Sequence, residues 1–227
     1  MDKKIIIALD SDNFDNIKFL LNTLRKEAFA FKIGYEFFFN FGLEGYKYIS
    51  QQNIKIFLDL KLHDIPNTVY KGIQAIAKLN PYFTTIHLSG GDEMQKSANK
   101  AKNKTKILGV SILTSLDSEQ TKKFYFNENI EDIITSFTKY SLKNKLDGVV
   151  CSPKEIKIIK KISLNKLLII TPGIRPLNFK DEHDDQKRTM TPKEALQAGA
   201  DFLVIGRPIT KSTNPFEEIK LINSSLE

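Results

Sequence analysis

The densest concentration of side chains able to do chemistry is the run Leu58-Asp59-Leu60-Lys61-Leu62-His63-Asp64. Side chains two apart on a strand leave from one face, so an extended run places Asp59 and Lys61 side by side. An acid and an ammonium in a partly dry site must pair to offset desolvation, and each then favours the other's charged form. Lys32, in Ala30-Phe31-Lys32-Ile33-Gly34, and Asp64 extend the pair into an alternating array of acids and ammoniums, with Asp10 as a further carboxylate. Two readings fit this spacing. One is an internal salt-bridge network. The other is a Lys61 ammonium that donates a proton and faces developing negative charge. A Schiff-base role fits poorly, because that chemistry needs a neutral amine.

A second group lies near the end of the chain. Gly206-Arg207, with Gly173 in Thr171-Pro172-Gly173-Ile174-Arg175-Pro176, has the makings of a phosphate cradle. Glycine lets backbone N–H groups approach an anion, and an arginine fork grips phosphate at two points. Between these motifs runs Ile174–Thr191, a polar stretch of about 18 residues. That exceeds ordinary loop length and reads as an active-site lid, with Gln186 and Arg188 as candidate lid-to-ligand contacts.

The elements that must position these groups follow from periodicity. Eight short apolar runs recur along the chain: Ile5–Leu9, Phe29–Ile33, Ile54–Leu60, Thr84–Leu88, Ile107–Leu113, Gly148–Val150, Leu167–Thr171 and Phe202–Ile205. Between them lie stretches with apolar residues at three- and four-residue steps, among them Phe14–Lys26, Thr68–Leu79, Ile130–Leu142, Lys154–Ile162, Lys193–Ala198 and Pro215–Leu226. Asn67-Thr68 and Ser152-Pro153 read as helix caps, and Thr191-Pro192 sets proline at a first helical position with Glu194 in the first turn. Strand–helix alternation implies parallel strands with right-handed crossovers. Eight units in 227 residues predict a single (β/α)₈ barrel domain spanning residues 1–227. A doubly wound sheet is the competitor, but no Gly-x-Gly-x-x-Gly follows the first strand. In a barrel the site collects at the C-terminal ends of the strands, where Asp10, Lys32, Asp59, Lys61, His87, Thr114, Arg175 and Arg207 all fall.

Composition narrows the field. The chain holds 34 Lys+Arg against 27 Asp+Glu, a formal charge of +7, yet only four of the basic residues are arginine. The lysines are scattered and read as solvated helix faces, so no nucleic-acid partner is expected. One cysteine, Cys151, and three histidines leave too few ligands for a structural zinc or a His-rich metal site. No apolar run approaches the ~18 residues that span a bilayer, and Ile5–Leu9 is too short for a signal peptide. A cytoplasmic protein is expected.

Leu58-Asp59-Leu60-Lys61-Leu62-His63-Asp64-Ile65-Pro66-Asn67-Thr68 resembles the signature of the orotidine 5′-phosphate decarboxylase family, in its bacterial form. The likeness runs the length of the chain. It takes in Ala8-Leu9-Asp10, Phe31-Lys32-Ile33-Gly34, His87 with Gly90-Gly91, Leu113-Thr114-Ser115 and Gly148-Val149-Val150-Cys151-Ser152. It continues through Gly173-Ile174-Arg175-Pro176, Gln186-x-Arg188 and Val204-Ile205-Gly206-Arg207-Pro208. Two positions depart from it: Leu88 stands where a small residue is expected and could reshape the site floor, and Phe179–Asp185 is unusually charged.

The resemblance implies decarboxylation of orotidine 5′-monophosphate to uridine 5′-monophosphate in pyrimidine biosynthesis, with no metal or organic cofactor. It implies that Lys61 protonates C6, that Asp59 lies by the substrate carboxylate, and that Lys32 and Asp64 complete the array. Asp10 and Thr68 then resemble ribose contacts, and Ile65 counts among the substrate-binding positions; Thr114 lies where the pyrimidine is held. Arg175, Gln186, Gly206 and Arg207 map to the phosphate grip. Asp64 and Thr68 would reach a partner's site across a two-fold interface, which implies a homodimer with shared active sites. Two rivals remain: a Mg²⁺-dependent 3-keto-hexulose-phosphate type decarboxylase, and a non-catalytic nucleotide-binding barrel.

Overall fold

The computed structural model describes residues 3–126, 129–177, 179 and 188–226. Eight parallel strands close on themselves in sequence order: β1 (Ile5–Ala8), β2 (Ala30–Ile33), β3 (Ile56–Leu62), β4 (Phe83–His87), β5 (Lys106–Val110), β6 (Gly148–Val150), β7 (Leu168–Thr171) and β8 (Phe202–Ile205). Helices α1 (Phe14–Leu24), α2 (Tyr35–Ser50), α3 (Pro66–Lys78), α4 (Asp92–Ala101), α5 (Ser118–Tyr125) and α6 (Ile130–Lys143) lie in the first five connections, the last two sharing the one between β5 and β6. They are followed by α7 (Ile156–Ser163), α8 (Pro192–Ala198), the short α9 (Arg207–Thr210) and α10 (Pro215–Ser225). This is the (β/α)₈ barrel that the strand–helix alternation predicts.

The two-residue period of the strands sorts side chains into two cores. Ile5 and Ile7 of β1 face the helices, while Ile6 and Ala8 face the barrel interior. Inside, Phe57, Phe83 and Leu108 fill the lower barrel, with the Phe57 and Phe83 rings packed edge-to-face at 5.7 Å. Higher up, the inward residues shrink to Ala8, Val110, Val150 and Val204, and the interior opens into a cavity at the C-terminal ends of the strands. The site is thus a consequence of taper: large rings seal one end, and small side chains leave the other hollow.

Several local expectations are revised. β3 ends at Leu62 rather than Leu60, and β5 at Val110 rather than Leu113. The cap expected at Asn67-Thr68 lies two residues earlier: Ile65 is the N-cap of α3 and Pro66 takes the first turn. Ser152 and Thr191 do cap their helical turns, each within a reciprocal capping box with the acid three residues on, Glu155 and Glu194. Leu88 does not reach the site floor; it is buried among the outer core residues, against Gly109. The lysines are not all scattered either. At the N-terminal end of the barrel Lys3, Lys4, Arg25 and Lys55 surround Phe29 and Phe202, and the Lys55 ammonium sits 4.1 Å from the Phe29 ring centre. Among the described residues no helix is long and apolar enough to cross a membrane.

Candidate active site

The hollow end of the barrel is a cavity of about 640 Å³, within the range of small-ligand sites. Asp10, Lys32, Asp59, Lys61, Thr114, Arg175, Gly206 and Arg207 line it, a set drawn from six of the eight strand ends. Asp64, Ile65 and Thr68 do not line it; Asp64 and Ile65 are exposed on the β3–α3 connection, where the Asp64 carboxylate accepts the Ile65 N–H at 2.6 Å, and Thr68 is exposed in the first turn of α3. Gln186 lies outside the described residues.

Asp59 and Lys61 meet, but not by plain alternation. β3 pairs with β4 at Leu58–Thr84 and resumes at Leu62–Ile86, so Asp59, Leu60 and Lys61 together oppose the single residue Thr85. Lys61 takes the slack with φ of 45°, a left-handed conformation that lysine rarely adopts and that costs about 1–3 kcal/mol. Thr85 holds the bulge closed. Its hydroxyl accepts the Lys61 backbone N–H at 2.8 Å and donates to Asp59 Oδ1 at 2.9 Å. A bulge at a barrel rim re-aims a side chain, and here it turns the lysine Nζ onto Asp59 Oδ2 at 2.8 Å.

Asp59 is the hub. Its Oδ2 lies 2.8 Å from Lys61 and 3.7 Å from Lys32, and Lys32 in turn lies 3.3 Å from Asp10. Burial on its own would raise the Asp59 carboxyl and lower the Lys32 ammonium. For Asp59 the two ammoniums and the Thr85 hydroxyl more than reverse this, and its pKa falls below the ordinary value. For Lys32, Asp10 and Asp59 do the same in the opposite direction, and its pKa is raised. Gly34 belongs to the array by having no side chain: a Cβ there would sit 3.3 Å from the Lys32 ammonium.

These directions set a pH window. A carboxyl with a lowered folded pKa stabilises the fold above its unfolded value near 3.9, and that contribution is lost as pH falls through the folded value. A raised ammonium stabilises below about 10.4 and loses its contribution as pH rises through the folded value. Both groups are therefore ionised throughout roughly pH 5–9. Urea unfolding of the wild type and Asp59→Asn at pH 7 and pH 3 checks this. The variant's stability deficit should shrink at pH 3; a deficit of the same size at both would contradict the assigned charge state.

Across the barrel from β3, β7 leads into the arginine-bearing rim. Gly173 turns the chain with φ of 75°, and Ile174 bridges Met190, so the two ends of the 174–191 segment are pinned together. Arg175 lines the cavity beside Phe179, with its guanidinium carbon 5.4 Å from that ring's centre. Arg207 opens α9 directly after Gly206, and Lys211 closes the same rim. Arg188 does not behave as a ligand contact. It is buried, pairs with Glu155 at 2.6 Å and donates to the Leu113 carbonyl at 2.9 Å. The expectation for it is corrected: a carboxylate and carbonyls inside the protein already occupy its fork.

Three contributors escaped sequence reading. Thr85 sits in an apolar strand with no motif around it. Tyr35 donates to the Leu60 carbonyl at 3.1 Å and places its ring 5.7 Å from the Lys61 ammonium; its place directly after Gly34 was the available signal. Glu155 stands three residues past Ser152, which marks a capping box but nothing more.

A closed parallel barrel with a buried acid–ammonium array facing Arg175 and Arg207 across a cavity of small-ligand size defines a (β/α)₈ barrel protein with a charged site at the C-terminal ends of its strands. The chain belongs to the Orotidine 5'-phosphate decarboxylase / HUMPS family, whose model matches residues 3–222. It is 43% identical over 224 residues to the Orotidine 5'-phosphate decarboxylase of Wolbachia sp. subsp. Brugia malayi, covering 98% of each chain. The protein of that name from Coxiella burnetii is 39% identical over 232 residues, covering 100% of this chain and 98% of its own. Among solved structures, Orotidine 5'-phosphate decarboxylase from Lactobacillus acidophilus superposes with a TM-score of 0.85 at 36% identity, with both chains fully covered.

Proposed function

We propose that this chain decarboxylates orotidine 5′-monophosphate to uridine 5′-monophosphate and CO₂, as a pyrimidine-pathway enzyme of the cytoplasm, at the C-terminal ends of its strands. The observation that carries the reading is the Lys61 ammonium, fixed 2.8 Å from buried Asp59 in a cavity whose far rim holds Arg175 and Arg207. The curated relatives' names support this reading over the hexulose-phosphate alternative, which the family name alone leaves open.

The chemistry follows from the charges. When the C6–carboxylate bond breaks, its electron pair stays on C6 in the ring plane, where the pyrimidine π system stabilises it poorly. The Lys61 ammonium stabilises that charge, then transfers a proton to C6 and recovers one from solvent. Asp59 holds the ammonium in place, Lys32 helps keep that carboxylate charged, and Thr85 sets the backbone that carries Lys61. Asp10 is placed for the ribose, and Thr114 for the pyrimidine. Arg175, Gly206, Arg207 and Gln186 take the phosphate. The phosphate is remote from C6, so its binding energy serves to orient the ring against the array. A cofactor has no step to perform in this scheme.

Arg207→Ala tests the phosphate role. It should raise KM and lower kcat/KM by at least about 100-fold, with Arg207→Lys recovering only part, because the two-point fork is lost. If orotidine, which lacks the phosphate, reacted as well as the nucleotide with the wild type, the role would fail.

We further propose that the active form is a homodimer in which Asp64, Ile65 and Thr68 serve the partner's site. All three are exposed and lie outside their own chain's cavity. Beside the cavity Tyr35 and Phe39 stack at 5.9 Å between ring centres, 50% and 80% exposed, a costly arrangement unless another surface covers them. An isologous interface would cover both rings and deliver Asp64 reciprocally.

The overall reading is tested by offering the purified protein two substrates, orotidine 5′-monophosphate and a 3-keto-hexonate 6-phosphate (the sugar acid whose carboxylate the rival would remove), each with EDTA and with Mg²⁺. Turnover of the nucleotide in EDTA is expected. Turnover of the sugar acid alone, dependent on Mg²⁺, would replace this reading with its rival.

A further inference from the structure

Among the described residues Glu155 and Arg188 are the most deeply buried charged pair outside the acid–ammonium array, and the chemistry proposed above gives them no role. The Arg188 guanidinium spends one arm on Glu155 Oε1 at 2.6 Å. Its remaining N–H groups reach backbone carbonyls, Leu113 at 2.9 Å and Thr114 at 3.5 Å. Glu155 in turn accepts the Ser111 hydroxyl at 3.0 Å and the Ser152 backbone N–H at 3.2 Å. One ion pair therefore ties together three segments: the exit of β5, the exit of β6, and the strand-like return into α8. Fork geometry suits this task, since a planar guanidinium can serve a carboxylate and two carbonyls at once.

The segment so held is a wall of the cavity. Ile112, Leu113, Thr114, Val150 and Cys151 line it, and none of the five is charged. The charged lining residues lie elsewhere: the acid–ammonium array on β1 to β3 with Glu36 at the start of α2, and Arg175, Arg207 and Lys211 after β7 and β8. An uncharged wall between those two groups suits the flat face of a nucleobase whose phosphate is gripped on one side and whose reacting carbon meets Lys61 on the other. The last ladder bond of β5 is that of the Ser111 N–H to the Val150 carbonyl at 3.0 Å, so Ile112–Thr114 beyond it has no strand pairing to keep it in place. Arg188 supplies the substitute.

We propose that the Arg188–Glu155 pair is a positioning device for the nucleobase, setting the Leu113–Thr114 backbone without itself touching substrate. This rests on the nucleotide reading given above. It predicts a separation between base binding and sugar-phosphate binding that a general loss of structure would not produce.

The test compares uridine 5′-monophosphate with ribose 5-phosphate, which lacks the base, by calorimetric titration of wild type and variants. Arg188→Ala strands a buried carboxylate and can unfold the chain, so the main variant is the double substitution Arg188→Met with Glu155→Gln, which removes both charges together. Its affinity for uridine 5′-monophosphate should fall at least tenfold while ribose 5-phosphate binding stays within twofold. Arg188→Lys keeps the charge but not the fork, and should lie between the wild type and the double variant. Equal loss for both ligands, or no loss for the nucleotide, would overturn the inference while leaving the functional reading standing. Failure of the wild type to bind uridine 5′-monophosphate at all would overturn both.

Discussion

Lys61→Ala lowers kcat by about 10⁴-fold or more, while affinity for uridine 5′-monophosphate is little changed. The size follows from two losses at one atom: the proton donor disappears, and so does the cation facing the incipient carbanion. Neither interaction exists with the product, so the effect falls on the transition state rather than on binding. The rest of the array survives the change. Asp59 keeps Lys32 at 3.7 Å and the Thr85 hydroxyl at 2.9 Å, so its charge remains compensated. Lys61→Arg sharpens the point. It keeps a cation at the position but offers no proton, since guanidinium stays charged in proteins, so turnover should remain lost. Steady-state kinetics beside calorimetry with the product nucleotide would check both variants. A large loss of product affinity with a modest loss of turnover would remove Lys61 from the reacting carbon.

Asp64→Ala should also be inactive, and its loss should be repaired by a second inactive chain. Asp64 is exposed past the end of β3 and does not line its own cavity, whereas Asp59 and Lys61 do. In the homodimer proposed above, each site takes Lys61 from one chain and Asp64 from the other. A dimer of one Lys61→Ala chain and one Asp64→Ala chain then has one site with both lesions and one with neither. Random pairing makes about half the dimers mixed, each with one intact site of two, so about one quarter of wild-type activity should return on co-refolding. No recovery, with mixed dimers demonstrated by mass spectrometry, would place Asp64 in its own chain's site.

How far the sequence foretold this molecule depended on whether a feature obeys a period. Eight apolar runs with helical stretches between them were enough to foresee the closed barrel, because burial on both faces of a parallel strand leaves a compositional mark. Strand ends also located the cavity, since barrel topology puts the site there whatever the chemistry. What stayed hidden was aperiodic. The β3 bulge sets three residues against Thr85, and nothing in Leu58–Leu62 signals it, because alternation predicts the same Asp59–Lys61 proximity by a different backbone path. Arg188 was misread as a ligand contact because its partner Glu155 lies 33 positions away, and a pair so distant leaves no local pattern. Leu88 was misplaced because a short helical turn begins there, which carries its side chain out of the barrel register.

The proposed reaction turns on where a proton goes. The central claim is that carboxylate leaves C6 and an exchangeable ammonium hydrogen takes its place, with no metal required. The direct measurement is turnover of orotidine 5′-monophosphate in D₂O containing EDTA, with the product examined by proton NMR and mass spectrometry. The expected product is uridine 5′-monophosphate carrying one deuterium, at C6, formed in step with CO₂. Absence of turnover, or a product with protium at C6, would contradict it.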